Sequence, residues 1–341
     1  MSLPESFRET LNLPVIASPM FLVSGPELVI EACKAGIVGT FPALNQRTSE
    51  GFESWLIEIQ AALQAYEEET GRKAAPFGVN LIVHASNPRL AADLEICKRH
   101  KVPLIITSLG AVPDVVKQVH AYGGLVFHDV ATVRHAQKAA QADVDGLIAV
   151  CAGAGGHAGV LNPFAFVSEI RQFFNGTLVL AGCLSTGRDV ATAQVMGADM
   201  AYMGTRFIST QESQAVAEYK QMIVDSSAAD IAYTSEISGI PANFLKPSLS
   251  AAGLNPNTGK PLDTEMDTAK KELNLGEELT APKEGASAWK SIWSAGQGVG
   301  VVHSTPCVVE LVSQLHEEYV EATVEYAQTS REYMFKPVGR A

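Results

Sequence analysis

The chain has 341 residues, 47% of them hydrophobic and 18% charged, which excludes an intrinsically disordered protein and a small disulfide-stapled scaffold. Lys and Arg number 25 against 37 Asp and Glu, and the formal net charge of -12 argues against nucleic acid or an anionic membrane as a partner. Any anionic ligand must therefore be held by local groups. The five cysteines stand singly and no apolar stretch is long enough to span a membrane, so we expect a cytoplasmic protein.

From residue 14 to residue 205 the sequence repeats a short β-branched apolar run, a turn rich in Gly, Ser, Asn or Pro, and an amphipathic stretch. The eight runs that we predict as strands cover residues 14–18, 37–41, 76–82, 103–107, 124–128, 146–150, 177–181 and 200–204. Between the second and third runs, Phe52, Leu56, Ile59 and Leu63 follow helical spacing, and Gly71 is placed to end the helix.

Strands that alternate with helices pair in parallel, and continuous Val, Ile and Leu runs indicate strands covered on both faces. Eight such units favour an α/β fold of the (β/α)8 TIM type over an open doubly wound sheet. We therefore predict that the functional site lies at the carboxyl ends of the strands, where such barrels place one.

After residue 205 this repeat of apolar run, turn and amphipathic stretch ends. Residues 215–231 read as helical, residues 251–261 are turn-rich and the stretch to residue 284 is charged, which is typical of an insertion or a lid. Helical periodicity returns at residues 306–326. We predict a barrel over residues 1–210, an inserted, partly helical substrate or lid domain over 211–300, and a C-terminal helix within 301–341 that returns to the barrel.

The turn after the sixth predicted strand contains four glycines around His157. Glycines such as Gly155 and Gly156 let the backbone approach a flat ligand closely. The turn also matches a dinucleotide fingerprint, but no helix starts directly after it. A lone histidine is more often structural than catalytic, yet a flexible glycine turn cannot bury one as a core residue, and this favours a functional His157. At other strand ends, Ser108 and His128 are candidates for lining a substrate pocket.

Two further turns, Gly182-Cys183 and Gly204-Thr205, follow the seventh and eighth predicted strands, where barrels bind a ligand phosphate through backbone N–H groups. Taken alone, each glycine pair could simply make a tight turn, but two adjacent turns in this pair of strands favour phosphate. The sequence has no metal-ligand spacing of the H-x-x-x-H or H-E-x-x-H type and no G-x-S-x-G nucleophile turn, so we predict no metal.

Several segments together resemble the nitronate monooxygenase family, formerly called 2-nitropropane dioxygenases. They are Pro-Phe-Gly-Val-Asn-Leu at 76–81, Ala-Gly-Gly-His-Ala-Gly at 154–159, Met-Gly-Ala-Asp at 196–199, Met-Gly-Thr-Arg-Phe at 203–207 and Trp-Ser-Ala-Gly-Gln-Gly at 293–298. The resemblance runs from about residue 14 to about residue 302. It implies an FMN-dependent enzyme that oxidises alkyl nitronates with dioxygen to a carbonyl compound and nitrite.

The resemblance also implies roles for individual residues. His157 matches the catalytic base. The residues matching the cofactor site are Pro19, Met20, Phe21, Asn80, Gly155, Gly156, Gly182, Cys183, Gly204, Thr205, Ser294 and Gln297. The expected partners are a small-molecule substrate and dioxygen, and a homodimer is left open.

The chain departs from the family pattern at the fifth strand, where many members have a lysine and this chain has Asp129. The departure removes a cation near the flavin. Two other functions stay open: an NAD(P)H-dependent flavin reductase of quinones or enoyl thioesters on the same scaffold, and a phosphate-ligand binding module without turnover.

Overall fold

The computed structural model describes residues 2–110, 113–262 and 290–334, and in it eight parallel strands close into a barrel, as predicted. Each barrel strand pairs with the next barrel strand along the chain, and the ring closes where the last strand, Met200–Met203, pairs with the first, Val15–Ala17. The barrel strands are β1 (Val15–Ala17), β2 (Val38–Pro42), β3 (Phe77–Ile82), β4 (Leu104–Ser108), β5 (Leu125–Val130), β6 (Gly146–Val150), β8 (Thr177–Ala181) and β9 (Met200–Met203).

The helices between these strands cover the outside of the barrel. They are α2 (Pro26–Lys34), α3 (Ser49–Thr70), α4 (Leu90–Arg99), α5 (Pro113–His120), α6 (Val133–Gln141), α7 (Pro163–Ile170) and α8 (Gly187–Val195). The predicted end of α3 is confirmed, since Gly71 ends the helix with a left-handed φ of 69°. The side chain of Thr48 caps its first turn by accepting from Gly51 N.

The inside of the barrel is an apolar core in which every second strand residue points inward. Ile16, Ile106, Phe127 and Ile148 belong to this interior cluster. Helix α1 (Glu5–Thr10) closes the amino-terminal end, where Phe7 packs on Phe127 with ring centroids 6.0 Å apart. The opposite end of the barrel is left open for a site.

The segment after β9 begins with α9 (Thr205–Ile208) and continues through α10 (Ala217–Asp225) and α11 (Lys246–Ala251). It contributes strands β10 (Ile231–Thr234) and β11 (Ala242–Leu245) to a small antiparallel sheet, whose third strand is β7 (Gly156–His157) from the barrel's sixth turn. Much of the charged stretch that we predicted as a lid lies outside the described residues.

The last helix, α12 (Val308–Met334), packs on the barrel beside α8 and α2. Gly187 N at the start of α8 donates to Glu318 Oε2 at 2.7 Å, and the Tyr319 hydroxyl donates to Gln194 Oε1 at 2.7 Å. The helix is longer than the predicted 306–326, and residues 335–341 lie outside the described part of the chain. Within the described ranges, no helix combines the length and apolar character that crossing a bilayer requires.

Candidate active site

A cavity of about 1140 Å³ opens at the carboxyl ends of the barrel strands. It is bordered by His157 and by thirteen other residues that were predicted above, from the strand ends, from the glycine turns or from the family resemblance. These are Pro19, Met20, Phe21, Asn80, Ser108, His128, Gly155, Gly156, His157, Gly182, Cys183, Gly204, Thr205 and Ser294. Gln297 is exposed and does not border the cavity; its Oε1 lies 4.0 Å from Cys183 Sγ.

His157 lies on a strand rather than on the flexible glycine turn that the sequence suggested. In β7 it pairs with Ala242 of β11, and Gly156 pairs with Asn243. The partner strand comes from the inserted segment, so a reading of the turn alone could not find it. The backbone that carries the imidazole is therefore fixed by the inserted segment.

Ser294 holds this strand in place. Its hydroxyl accepts from Gly156 N at 2.7 Å and donates to Asn243 O at 2.5 Å, which ties β7 to β11. The Tyr219 hydroxyl donates to Ser294 O at 2.5 Å, and Asn243 Nδ2 donates to Ala154 O at 2.7 Å. The predicted role of Ser294 as a cofactor contact is untested, and its hydroxyl is engaged in positioning the turn. Nothing in the local sequence marked Tyr219 or Asn243.

The electrostatic setting of His157 favours the neutral imidazole. Burial lowers the pKa of His157 to about 4, because the charged form loses its hydration. At neutral pH the ring therefore carries no charge and one of its nitrogens can accept a proton.

The glycine turns bring three backbone segments within contact distance. A Cβ at Gly155 would lie 2.9 Å from Gly296 N, and a Cβ at Gly204 would lie 2.7 Å from Ser18 Oγ. Gly296 N also donates to Thr205 Oγ1 at 2.8 Å. Only glycine leaves room for this approach, and the N–H groups at the start of α9 have no intrahelical acceptor.

On the other side of the cavity, three polar side chains from consecutive strands form a hydrogen-bonded chain. Asn80 Nδ2 donates to Ser108 Oγ at 2.7 Å, and Ser108 Oγ donates to Asp129 Oδ2 at 2.5 Å. Burial raises the pKa of Asp129 to about 6, although the Ser108 hydrogen bond opposes the shift. Sequence reasoning placed Asn80 and Ser108 in the pocket but saw Asp129 only as a departure from the family.

His128 borders the same cavity from the outer face of β5. Its neighbours Phe127 and Asp129 point into the barrel, so by strand alternation His128 points toward the helices. Its Nδ1 lies 2.7 Å from Thr107 Oγ1, and burial lowers the pKa of His128 to about 4. The predicted contact with substrate stays a prediction. In the described ranges, no cluster of His, Cys, Asp and Glu could hold a metal ion.

The chain is similar in sequence to several known proteins. The model of the nitronate monooxygenase family matches residues 89–318. The chain is 24% identical to the nitronate monooxygenase of Paraburkholderia phytofirmans, over 93% of this chain and 95% of that protein. It is 27% identical to a carboxyl-CoA dehydrogenase of Rhodococcus jostii, over 69% of this chain but only 63% of that protein.

Among solved structures, the nitroalkane oxidase of Streptomyces ansochromogenes has the same fold, with a TM-score of 0.75. The superposition covers 94% of this chain and 100% of that one, at 23% sequence identity. At this sequence identity the similarity shows a shared fold and nothing more.

Proposed function

Since the chain belongs to the nitronate monooxygenase family and is a flavin-dependent oxidoreductase, we propose that it binds FMN and oxidises alkyl nitronates with dioxygen to a carbonyl compound and nitrite. The observation that carries the proposal is the meeting of a neutral imidazole and two glycine turns at one cavity. Neutral nitroalkanes enter the same reaction after loss of their α-proton.

The residues present fit FMN. The glycines at 155 and 296 let two backbone segments pack closely beside the cavity, and the cavity exceeds the volume of a typical ligand pocket. We assign the phosphate to Gly182, Cys183, Gly204 and Thr205, where main-chain N–H groups can bind an anion in an acidic protein. Bound FMN supplies the electron-transfer chemistry that no side chain can provide.

The task of His157 is to move a proton. Its neutral ring accepts the α-proton of a nitroalkane at one of the imidazole nitrogens, and the hydrogen bonds of Ser294 keep the ring's strand in place while this happens. A nitronate has already lost that proton and needs only to be bound. The apolar residues of the cavity limit water near the reacting groups.

The test replaces His157 with Asn in the FMN-loaded enzyme. We expect His157→Asn to keep its flavin absorption band but to lose roughly 10²–10⁴-fold in kcat/KM on a neutral nitroalkane, with a much smaller loss on the nitronate. His316→Asn, at an exposed histidine on α12, is the matched control and should behave as the parent.

Two results would contradict the proposal. Equal activity of His157→Asn and the parent on a neutral nitroalkane would remove the histidine from the reaction. A parent protein that neither shows a flavin band as purified nor binds added FMN would remove the cofactor, and would favour a phosphate-ligand binding module.

A second candidate is an NAD(P)H-dependent flavin reductase acting on quinones or enoyl thioesters. Two observations favour keeping it: the similarity to a carboxyl-CoA dehydrogenase, and a carboxyl group, Asp129, where many family members have a lysine. NADH or NADPH is added to the FMN-loaded enzyme without oxygen. Rapid bleaching of the flavin band would support the reductase, and no bleaching would exclude it.

A further inference from the structure

The hydrogen-bonded chain formed by Asn80, Ser108 and Asp129 has a fixed direction. Asn80 Nδ2 donates both to Ile106 O at 3.2 Å and to Ser108 Oγ at 2.7 Å. A carbonyl oxygen can only accept, so the contact with Ile106 O fixes which end of the Asn80 amide carries the hydrogens. Ser108 Oγ accepts from Asn80, and its single proton is directed to Asp129 Oδ2 at 2.5 Å.

This direction determines where Asp129 can carry a proton. Because Oδ2 accepts from Ser108, a proton bound by the carboxyl must lie on Oδ1. Oδ1 is shielded from solvent and has no hydrogen-bond partner among the described residues. Asp129 borders the cavity, so the charge of this carboxyl, which a proton on Oδ1 removes, acts on a bound ligand.

The surroundings of Asp129 make its carboxyl hold a proton to a higher pH than usual. No Lys or Arg of the described residues forms an ion pair with it, and burial raises its pKa to about 6. Tyr202, which approaches from β9, stays neutral because burial and Asp129 both raise its pKa. His157 and His128 have a pKa of about 4 and stay neutral above pH 5.

We propose that Asp129 is protonated when the flavin is bound beside it, so that FMN binding takes up a proton at this carboxyl. The inference rests on the proposed function, since it requires FMN in this cavity. The ring carbonyls and unprotonated ring nitrogens of a flavin are acceptors, so a neutral acid suits them and an ionised carboxylate repels them.

The experiment measures the Kd of the apoprotein for FMN, by quenching of FMN fluorescence, between pH 5 and pH 8. The FMN phosphate titrates in this range, with a pKa of about 6, and contributes equally to each protein, so the ratio of parent to Asp129→Asn is the readout. His135 and Lys138, which also border the cavity, are the same in both proteins. We expect the ratio of the two Kd values to be near 1 at pH 5 and to rise to about 30 at pH 7.5.

Ser108→Ala gives a second, independent arm. It removes the hydrogen bond that favours the ionised carboxyl, so the loss of FMN affinity on raising the pH should begin at a higher pH than in the parent. Asp225→Asn, at an exposed acid on α10 that does not border the cavity, is the matched control and should follow the parent.

The outcomes separate the inference from the proposed function. A parent-to-Asp129→Asn ratio that is flat from pH 5 to pH 8 would overturn the inference, and so would a Ser108→Ala profile with the parent's midpoint. If Asp129→Asn does not fold, the Ser108→Ala midpoint decides alone. A parent protein that binds no FMN at any pH would instead overturn the proposed function, and the inference with it.

Discussion

Two walls of the cavity each bury an ionisable group, and the two walls are built differently. The histidine wall, formed by β7, β11 and residues 294–297, joins three segments that are far apart in sequence. The aspartate wall, formed by Asn80, Ser108 and Asp129, consists of the ends of three consecutive strands. Burial favours the neutral form on both walls. One physical effect thus leaves a proton acceptor on the first wall and a proton donor on the second.

The largest effect should come from loosening the histidine wall without touching the histidine. Ser294→Ala removes a donor and an acceptor that tie β7 to β11 and leaves Gly156 N without its partner. We expect kcat on a neutral nitroalkane to fall by about 10–100-fold at saturating FMN, because a shift of 1 Å in a catalytic group can cost that much. The free energy of unfolding should fall by about 1–3 kcal/mol, measured by urea denaturation.

Ser168→Ala is the control for this change. Ser168 is an exposed serine on α7, and its hydroxyl donates to Phe164 O in its own helix. Parent-like turnover by Ser294→Ala, together with the expected loss of stability, would show that β7 does not need this support to place His157. The hydrogen bonds of Ser294 would then contribute to the stability of the histidine wall but not to the placement of His157.

A smaller effect concerns the acid side of the pH profile. A base with a pKa of about 4 is about 90% neutral at pH 5, whereas a histidine with its ordinary pKa of 6.5 is about 3% neutral. At saturating FMN, kcat/KM on a neutral nitroalkane should therefore change little between pH 7 and pH 5, whereas with an ordinary histidine it would fall about 25-fold. If kcat/KM falls toward acid pH with a midpoint near pH 6.5, the imidazole is hydrated in the working enzyme.

The fold and the aspartate wall follow from the sequence more directly than the histidine wall. Each predicted barrel strand overlaps an observed one, because runs of β-branched residues between turn residues carry a local signal. The carboxyl ends of parallel strands meet at one end of a barrel, and this alone brings Asn80 and Ser108 together. Strands β7 and β11 are short and pair across a long stretch of chain, so no local pattern reveals them.

The end of the fifth strand shows the limit of such reasoning. The predicted fifth strand ended at residue 128, which made His128 the candidate at the strand end, whereas β5 continues to Val130. Because side chains alternate between the faces of a strand, the inward position at this end belongs to Asp129. Phe127, an aromatic residue two positions earlier and inside the barrel, is the signal that could have fixed the parity.

The smallest expected effect is the most direct measure of the difference between the walls, and it needs no cofactor. The pKa of Asp129 is higher in the folded protein than its ordinary 3.8, so the folded state binds more protons and this group's contribution to stability falls as the pH rises from about 4 to about 6. The pKa of His157 is lower than its ordinary 6.5, so its contribution rises as the pH rises from about 4 to 6.5.

Urea unfolding of the apoprotein at pH 4.5, 5.5 and 6.5 should separate the two contributions. Relative to the parent, Asp129→Asn should gain stability as the pH rises and His157→Asn should lose it, each by at most about 1.4 kcal/mol per pH unit, a tenfold change in the folded-to-unfolded ratio. His128 is unchanged in both variants and cancels in each difference. If both stability differences change with pH in the same direction, burial does not favour the neutral form on both walls. A shared preference for the neutral form makes an acid and a base respond to pH in opposite directions.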